Sequence, residues 1–161
     1  MSSALKVIRA SQASSVHFAF NNITISDRDG NWLAARVSQE TEIANYRYDT
    51  TKSKKAKAYT TQSVSLSSLS GARRKNLEVS LKRGKAIGRA VNRARELGNL
   101  PGNICTPTYL AQQATLLADR NRSITTQILS EKQMARLSMG SLLSVGHGSA
   151  EESKLIIIRH K

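Results

Sequence analysis

Arg93-Ala94-Arg95-Glu96-Leu97-Gly98-Asn99-Leu100-Pro101-Gly102-Asn103-Ile104-Cys105-Thr106-Pro107-Thr108-Tyr109-Leu110-Ala111 is the stretch that decides how this chain is divided. Gly98-Asn99 followed by Pro101 is a helix stop, because Gly and Asn accept the backbone that closes a helix and Pro cannot continue one. The chain then restarts. Thr106 offers a side-chain oxygen to cap a new helix, and Pro107 has no N–H to lose at the first helical position. The stretch is therefore the exit of one helix and the entry of the next.

Upstream of that stop the pattern is helical from Ala72 to Asn99. Leu77, Leu81, Gly84, Gly88 and Val91 recur at spacings of four and three, and Ile87, Ala90, Ala94 and Leu97 widen the stripe. Gly84 and Gly88 each cost about 1 kcal/mol in an exposed helix relative to Ala. Their four-residue spacing predicts close backbone packing against something large. Thr50 to Ser70 is rich in Lys, Ser and Thr, and both a solvated loop and a strand over 59–69 fit it. Trp32 to Tyr48 contains no Gly or Pro and reads as a helix ending near Asp49, with Ser38-Gln39-Glu40-Thr41-Glu42 as its wet face. Asp27-Arg28-Asp29-Gly30-Asn31 is a turn that could cap its start. Val16, Phe18 and Phe20 alternate with His17 and Ala19, then Ile23 and Ile25 follow Asn21-Asn22, as in a strand or a hairpin.

Downstream, a helix runs from about Pro107 to Asn121 with Tyr109, Leu110, Ala114, Leu117 and Ala118 as its apolar side. Ile124 to Leu129 alternates as a strand. Ser130 and Gln133 fit a capping box for a short helix reaching Leu137. Met139 to Gly146 reads as a buried helical turn, and Lys154 to Ile158 as a buried parallel strand. Helix, strand, helix, strand predicts α/β layering. Two strands make an incomplete sheet, so the expectation is a chain that ends before its domain does.

The 161 residues carry 25 Lys and Arg against 11 Asp and Glu, a formal net charge of +14. Lys52, Lys54, Lys55, Lys57, Arg73, Arg74, Lys75, Lys82, Arg83, Lys85, Arg89, Arg93 and Arg95 stand against Glu78 alone between positions 52 and 95, so one segment holds +12 of the +14. The longest apolar run, around Leu155–Ile158, falls far short of the roughly 20 residues of a membrane span. The N-terminus lacks the basic and apolar regions of a signal peptide. One cysteine, Cys105, forms no internal disulfide. These features favour a reducing, cytoplasmic setting.

Chemistry-bearing residues are sparse. The carboxylates form no cluster with His at metal-ligand spacing, so neither catalytic nor metal-ligating residues are assigned. His147, between Gly146 and Gly148, could approach a phosphate or substrate, though a structural glycine turn explains it better. Cys105 has only the following helix N-terminus to stabilise a thiolate, and a packed structural thiol is the plainer reading. The basic helix would attract nucleic-acid phosphates, with Lys82, Arg83, Arg89 and Arg93 as the candidate contacts. No aromatic residue is interleaved from Val64 to Leu100, so base stacking is unsupported, and a solvated helix face accounts for the same charges.

The stretch from Arg93 to Ala111, followed by Leu137-Ser138-Met139-Gly140-Ser141-Leu142-Leu143-Ser144-Val145-Gly146-His147-Gly148-Ser149 and Lys154-Leu155-Ile156-Ile157-Ile158, resembles the leucyl (cytosol) aminopeptidase family, including the bacterial aminopeptidase A group. Asn31-Trp32-Leu33 through Tyr48-Asp49 and Lys52-Ser53-Lys54-Lys55 are similar to the late part of that family's N-terminal domain. The resemblance implies an α/β fold: a partial N-terminal α/β domain with a Lys-rich loop over 1–71, a long connecting helix over 72–100, and an incomplete start of the α/β catalytic domain over 101–161. It also implies hexamers that remove N-terminal residues from peptides with two divalent ions, zinc, manganese or magnesium. Some bacterial members bind DNA.

The family's metal ligands follow the strand at Leu155–Ile158, in a Gly-Lys-Gly-type segment and in later acidic segments. No position here matches a family ligand, catalytic Lys or catalytic Arg. The first expectation is thus a truncated leucyl-aminopeptidase-like protein, inactive alone and without cofactors of its own. The second is a small basic DNA-binding or self-associating assembly module. The third is a gene fragment with no independent function. The partners implied are peptides for the intact family and DNA or copies of itself for the basic module, and a membrane is implied by neither.

Overall fold

A computed structural model describes residues 2–11, 13–20, 25–55, 63–67 and 73–161, which fall into two compact units, Met1–Asn99 and Leu100–Lys161.

The first unit is built on two helices. Helix α2 spans Gly30–Asn45 and helix α3 spans Arg74–Asn99. Asp29 caps α2: its carboxylate accepts from the Trp32 backbone N–H and from Asn31 Nδ2, both at 2.8 Å. Gly84 and Gly88 of α3 are buried where α2 crosses. A Cβ on Gly84 would lie 2.0 Å from the Ala35 carbonyl oxygen, and one on Gly88 would lie 2.5 Å from Glu42 Cβ and 2.8 Å from the Gln39 oxygen. The predicted close packing is therefore present, and the partner is the backbone of α2.

That contact corrects two expectations. Ser38 to Glu42 are half-buried rather than a wet face, because glycines on α3 bring its backbone against them. Ser38 Oγ donates to the Leu81 carbonyl at 2.9 Å. Helix α2 also ends at Asn45, not near Asp49, with Tyr46 already extended. The last carbonyls of a helix need partners, and α3 supplies them. Asn92 Nδ2 donates to the Glu42 oxygen at 2.7 Å, and Arg95 donates to the Ile43 oxygen at 3.2 Å. Tyr46 is held by Glu96 at 2.9 Å and by the Arg95 guanidinium, 4.3 Å from its ring. Of the predicted apolar stripe on α3, Ile87, Ala90 and Ala94 are exposed, so the helix buries a narrow face set by the glycines.

Helix α1 (Ser2–Ser11) packs on α2 with Leu5 buried beside a core of Leu33, Ala34 and Val37. Strand β1 (Ser15–Ala19) pairs in parallel with β2 (Ser63–Ser67), His17 opposite Ser65. So β1 takes its partner from the Ser-rich segment rather than from a hairpin. Ile25 lies in a turn whose carbonyl accepts from Arg28 N–H, and Asn21, Asn22 and Ile23 lie outside the described residues. Of the two readings of 59–69, the strand holds over 63–67; the rest of that range and the start of the basic helix at Ala72 lie outside the described residues.

In the second unit the local signals hold. Helix α4 spans Pro107–Asp119 with Thr106 as N-cap and Pro at its first turn. Strand β3 spans Ile124–Leu129, and α5 spans Glu131–Arg136 with both halves of the Ser130–Gln133 capping box formed. Helix α4 packs on β3 through buried Ala111 and Ala114, and Thr126 Oγ1 donates to the Ala114 carbonyl at 3.0 Å. Leu117, expected on the apolar side, is exposed.

Two expectations fail here. Helix α6 (Gly140–Gly146) is not buried: Val145 is 85% exposed and Leu142 is exposed too, and the helix has no buried residue. Strand β4 (Leu155–His160) pairs antiparallel with β3, Ile124 opposite His160, and Ile158 is half exposed. A β-branched run reports strand propensity, not direction. Helices α5 and α6 form a short out-and-back excursion that returns the chain beside β3 in the opposite sense. The architecture is a mixed α/β one, with a two-stranded sheet in each unit among the described residues.

Candidate functional site

The described bases of α3 divide by what they touch. Lys85 Nζ and Arg89 Nε lie 3.8 and 3.9 Å from Glu42 Oε1, and Arg95 caps α2. Arg74 pairs with Glu78 along the helix at 3.3 Å. Part of the charge that reads as a polyanion signal is thus spent within the unit on α2. Such exposed pairs contribute about 0–1 kcal/mol each.

Lys82, Arg83, Arg89 and Arg93 are all exposed. Lys82, Arg89 and Arg93 follow at spacings of seven and four and share one stripe. Arg83 is turned about 100° from it and faces a groove instead. That groove is formed inside the first unit, beside the α2–α3 crossing, and holds about 360 Å³. Asp29, Trp32, Ala35, Arg36, Ser80, Arg83 and Ile87 line it, with Asn31 and Gln39. Trp32 and Ile87, the two large apolar side chains facing the recess, are 39% and 40% exposed. The sequence shows no motif for this groove, since its walls come from residues some fifty positions apart and become neighbours only through Gly84.

Hydrogen bonds from Trp32 N–H and the Asn31 amide hold the Asp29 carboxyl below its ordinary pKa. Arg36 pairs with Glu40 at 2.9 Å, and Arg28 lies over the Trp32 ring at 5.4 Å.

The other sequence candidates belong to the second unit. His147 is exposed at the end of α6, where its N–H donates to the Ser144 carbonyl. Gly146 makes room for Ser153, whose Oγ would lie 2.0 Å from an added Cβ. Ser153 N–H in turn donates to Glu131 at 2.7 Å. The glycine turn is therefore explained by chain packing. Cys105 is half-buried, with its N–H on the Pro101 carbonyl at 2.9 Å. Glu152 is held below its ordinary pKa by its hydrogen bond with Lys154. Among the described residues no three His, Cys, Asp or Glu side chains converge as a metal ion requires, so they do not fit a metal centre. No described helix is long and apolar enough to cross a membrane.

Helix α4, strand β3 and the capped α5 fall in the segment that a known family matches. Residues 92–161 match the cytosol aminopeptidase family, catalytic domain. The whole chain is similar to curated members of the same family. It is 45% identical over 129 residues to a probable cytosol aminopeptidase of Saccharophagus degradans, covering 80% of this chain and 26% of that protein. It is 38% identical over 162 residues to one of Nitrosococcus oceani, covering 99% of this chain and 32% of that protein. Among solved structures, a tomato leucine aminopeptidase mutant has the same fold at a TM-score of 0.86 and 24% identity, covering 98% of this chain and 31% of that one. A bottromycin maturation enzyme in complex with Mn matches at a TM-score of 0.76 and 22% identity, covering 98% of this chain and 32% of that one. The chain spans between a quarter and a third of the length of these relatives.

Proposed function

We propose that this chain serves a leucyl aminopeptidase, an enzyme that removes N-terminal residues from peptides in the cytoplasm, and that it supplies scaffold rather than chemistry. On this reading residues 1–71 are a partial N-terminal α/β domain with a Lys-rich loop, 72–100 the connecting helix and 101–161 the opening of the catalytic domain. The observation that carries this reading is the match of residues 92–161 to the catalytic-domain family, in a chain whose described residues bring no metal-ligand set together. Two divalent ions, zinc, manganese or magnesium, would supply the polarised carbonyl and the activated water, held by ligands other than the residues described. The test is incubation of the purified chain with leucine anilide and manganese. No turnover above a host-enzyme control is expected, and turnover that copurifies with the chain through successive columns would contradict the proposal.

A second reading rests on the exposed stripe of Lys82, Arg89 and Arg93 with Arg83 nearby. On that reading the stripe binds DNA, with an affinity that falls steeply as salt rises. Gel-shift titration at low salt tests it, and absence of a shift removes it.

A further inference from the structure

We propose that the groove between α2 and α3 binds an organic carboxylate carried next to a bulky apolar group, as in a free apolar amino acid or the C-terminal residue of a peptide. The groove is a recess of about 360 Å³, within the size range of small-molecule sites. Its apolar surface is Trp32 and Ile87, two large side chains left about two-fifths exposed within one unit.

Its charges are unevenly spent. The Asp29 carboxylate accepts from Trp32 N–H and Asn31 Nδ2, and its role is to cap α2. Glu40 is taken by Arg36 at 2.9 Å. Arg83 lines the same recess, and no carboxylate pairs with it among the described residues. Of the charged residues that line the recess, Asp29 accepts from the N–H donors at the start of α2 and Arg36 pairs with Glu40, while the Arg83 guanidinium has no carboxylate partner among the described residues. A guanidinium presents paired N–H donors that match a carboxylate. An uncharged apolar ligand would leave Arg83 idle, and a bare inorganic anion would leave Trp32 and Ile87 idle. A ligand with both features uses the whole groove. The polar Ser80 hydroxyl and Gln39 amide remain for its backbone groups.

Trp32 is the only tryptophan of the chain, so its fluorescence reports this groove alone. The experiment titrates the full chain with N-acetyl-leucine, leucinamide, free leucine and a short peptide ending in leucine. N-acetyl-leucine should give a saturable change in Trp32 emission, and leucinamide, which lacks the carboxylate, should not. Free leucine and the peptide identify the source: a response to leucine alone indicates the amino acid, and a response to the peptide indicates a chain terminus. Arg83→Gln should weaken binding about tenfold or more, the usual loss for a charged hydrogen-bond partner, while Arg93→Gln should leave it unchanged. Both positions are exposed, and unchanged melting curves would show the variants folded. A flat titration, an equal response to leucinamide, or unaltered binding by Arg83→Gln overturns the proposal.

Discussion

The α2–α3 pair and the α4–β3–α5 segment are held together by different kinds of contact. In the first, the decisive groups are about fifty residues apart: Gly84 against Ala35, Asn92 on Glu42, Arg95 on Ile43 and Tyr46 on Glu96. In the second, they lie within a few residues: Thr106 capping Tyr109 N–H, and Ser130 exchanging bonds with Gln133. Where stability is local, the sequence announces it. Where two helices meet through missing side chains, the sequence shows only that something must come close.

Substitutions can break this contrast at graded cost. The largest expected effect is in the second unit, where local signals set the elements but a fully buried Met packs in the core. Met134 is fully buried, and Met134→Ala should cost about 2–5 kcal/mol. Hydrogen exchange should show the loss in residues 107–160, with 30–99 unchanged.

In the first unit, Gly84→Ala forces a methyl into the Ala35 backbone and should cost about 1–3 kcal/mol. Gly98→Ala is the internal control: the same helix, the same change and nothing within 4 Å. It should be neutral or gain up to about 1 kcal/mol from helix propensity. Equal destabilisation by both, measured in urea, would show that the close approach does not govern this unit.

Caps give smaller effects. Thr106→Ala should remove about 1 kcal/mol and loosen exchange at the start of α4 only. The smallest effect concerns pH. Trp32 N–H and the Asn31 amide lower the Asp29 pKa in the folded state. A depressed carboxyl contributes stability that is present above its unfolded pKa and lost as pH falls through the folded one, at roughly pH 4 and below. Asp29→Asn keeps a capping side chain and should flatten that acid-side loss. An unchanged acid limb of the melting profile would contradict the assignment.

Much of the fold is legible because its signals are short-range. The stop at Asn99, the Thr106-Pro107 restart and the strand at 124–129 need only neighbours in sequence. The tight approach at Gly84 and Gly88 is legible too, since two glycines four apart cost a helix too much to be idle. What is not legible depends on the partner. Ser38 to Glu42 look solvated because they are polar, yet the α3 glycines admit their backbone and half-bury them. The β4 run looks doubly covered because it is β-branched, yet it lies antiparallel with Ile158 half exposed. The groove had no motif at all. Arg83 looked like one of many bases, and only its turn away from Lys82 and Arg89, toward Trp32, separates it from them.

The central claim is that this chain provides framework for an aminopeptidase and does not itself hold the ions. Electron paramagnetic resonance of manganese added stepwise to the purified chain tests it most directly. Free manganese gives a six-line signal that is strongly attenuated on binding. The account predicts a signal rising linearly from the first addition, as in buffer. A signal suppressed up to two equivalents of manganese, together with leucine anilide turnover, would contradict it.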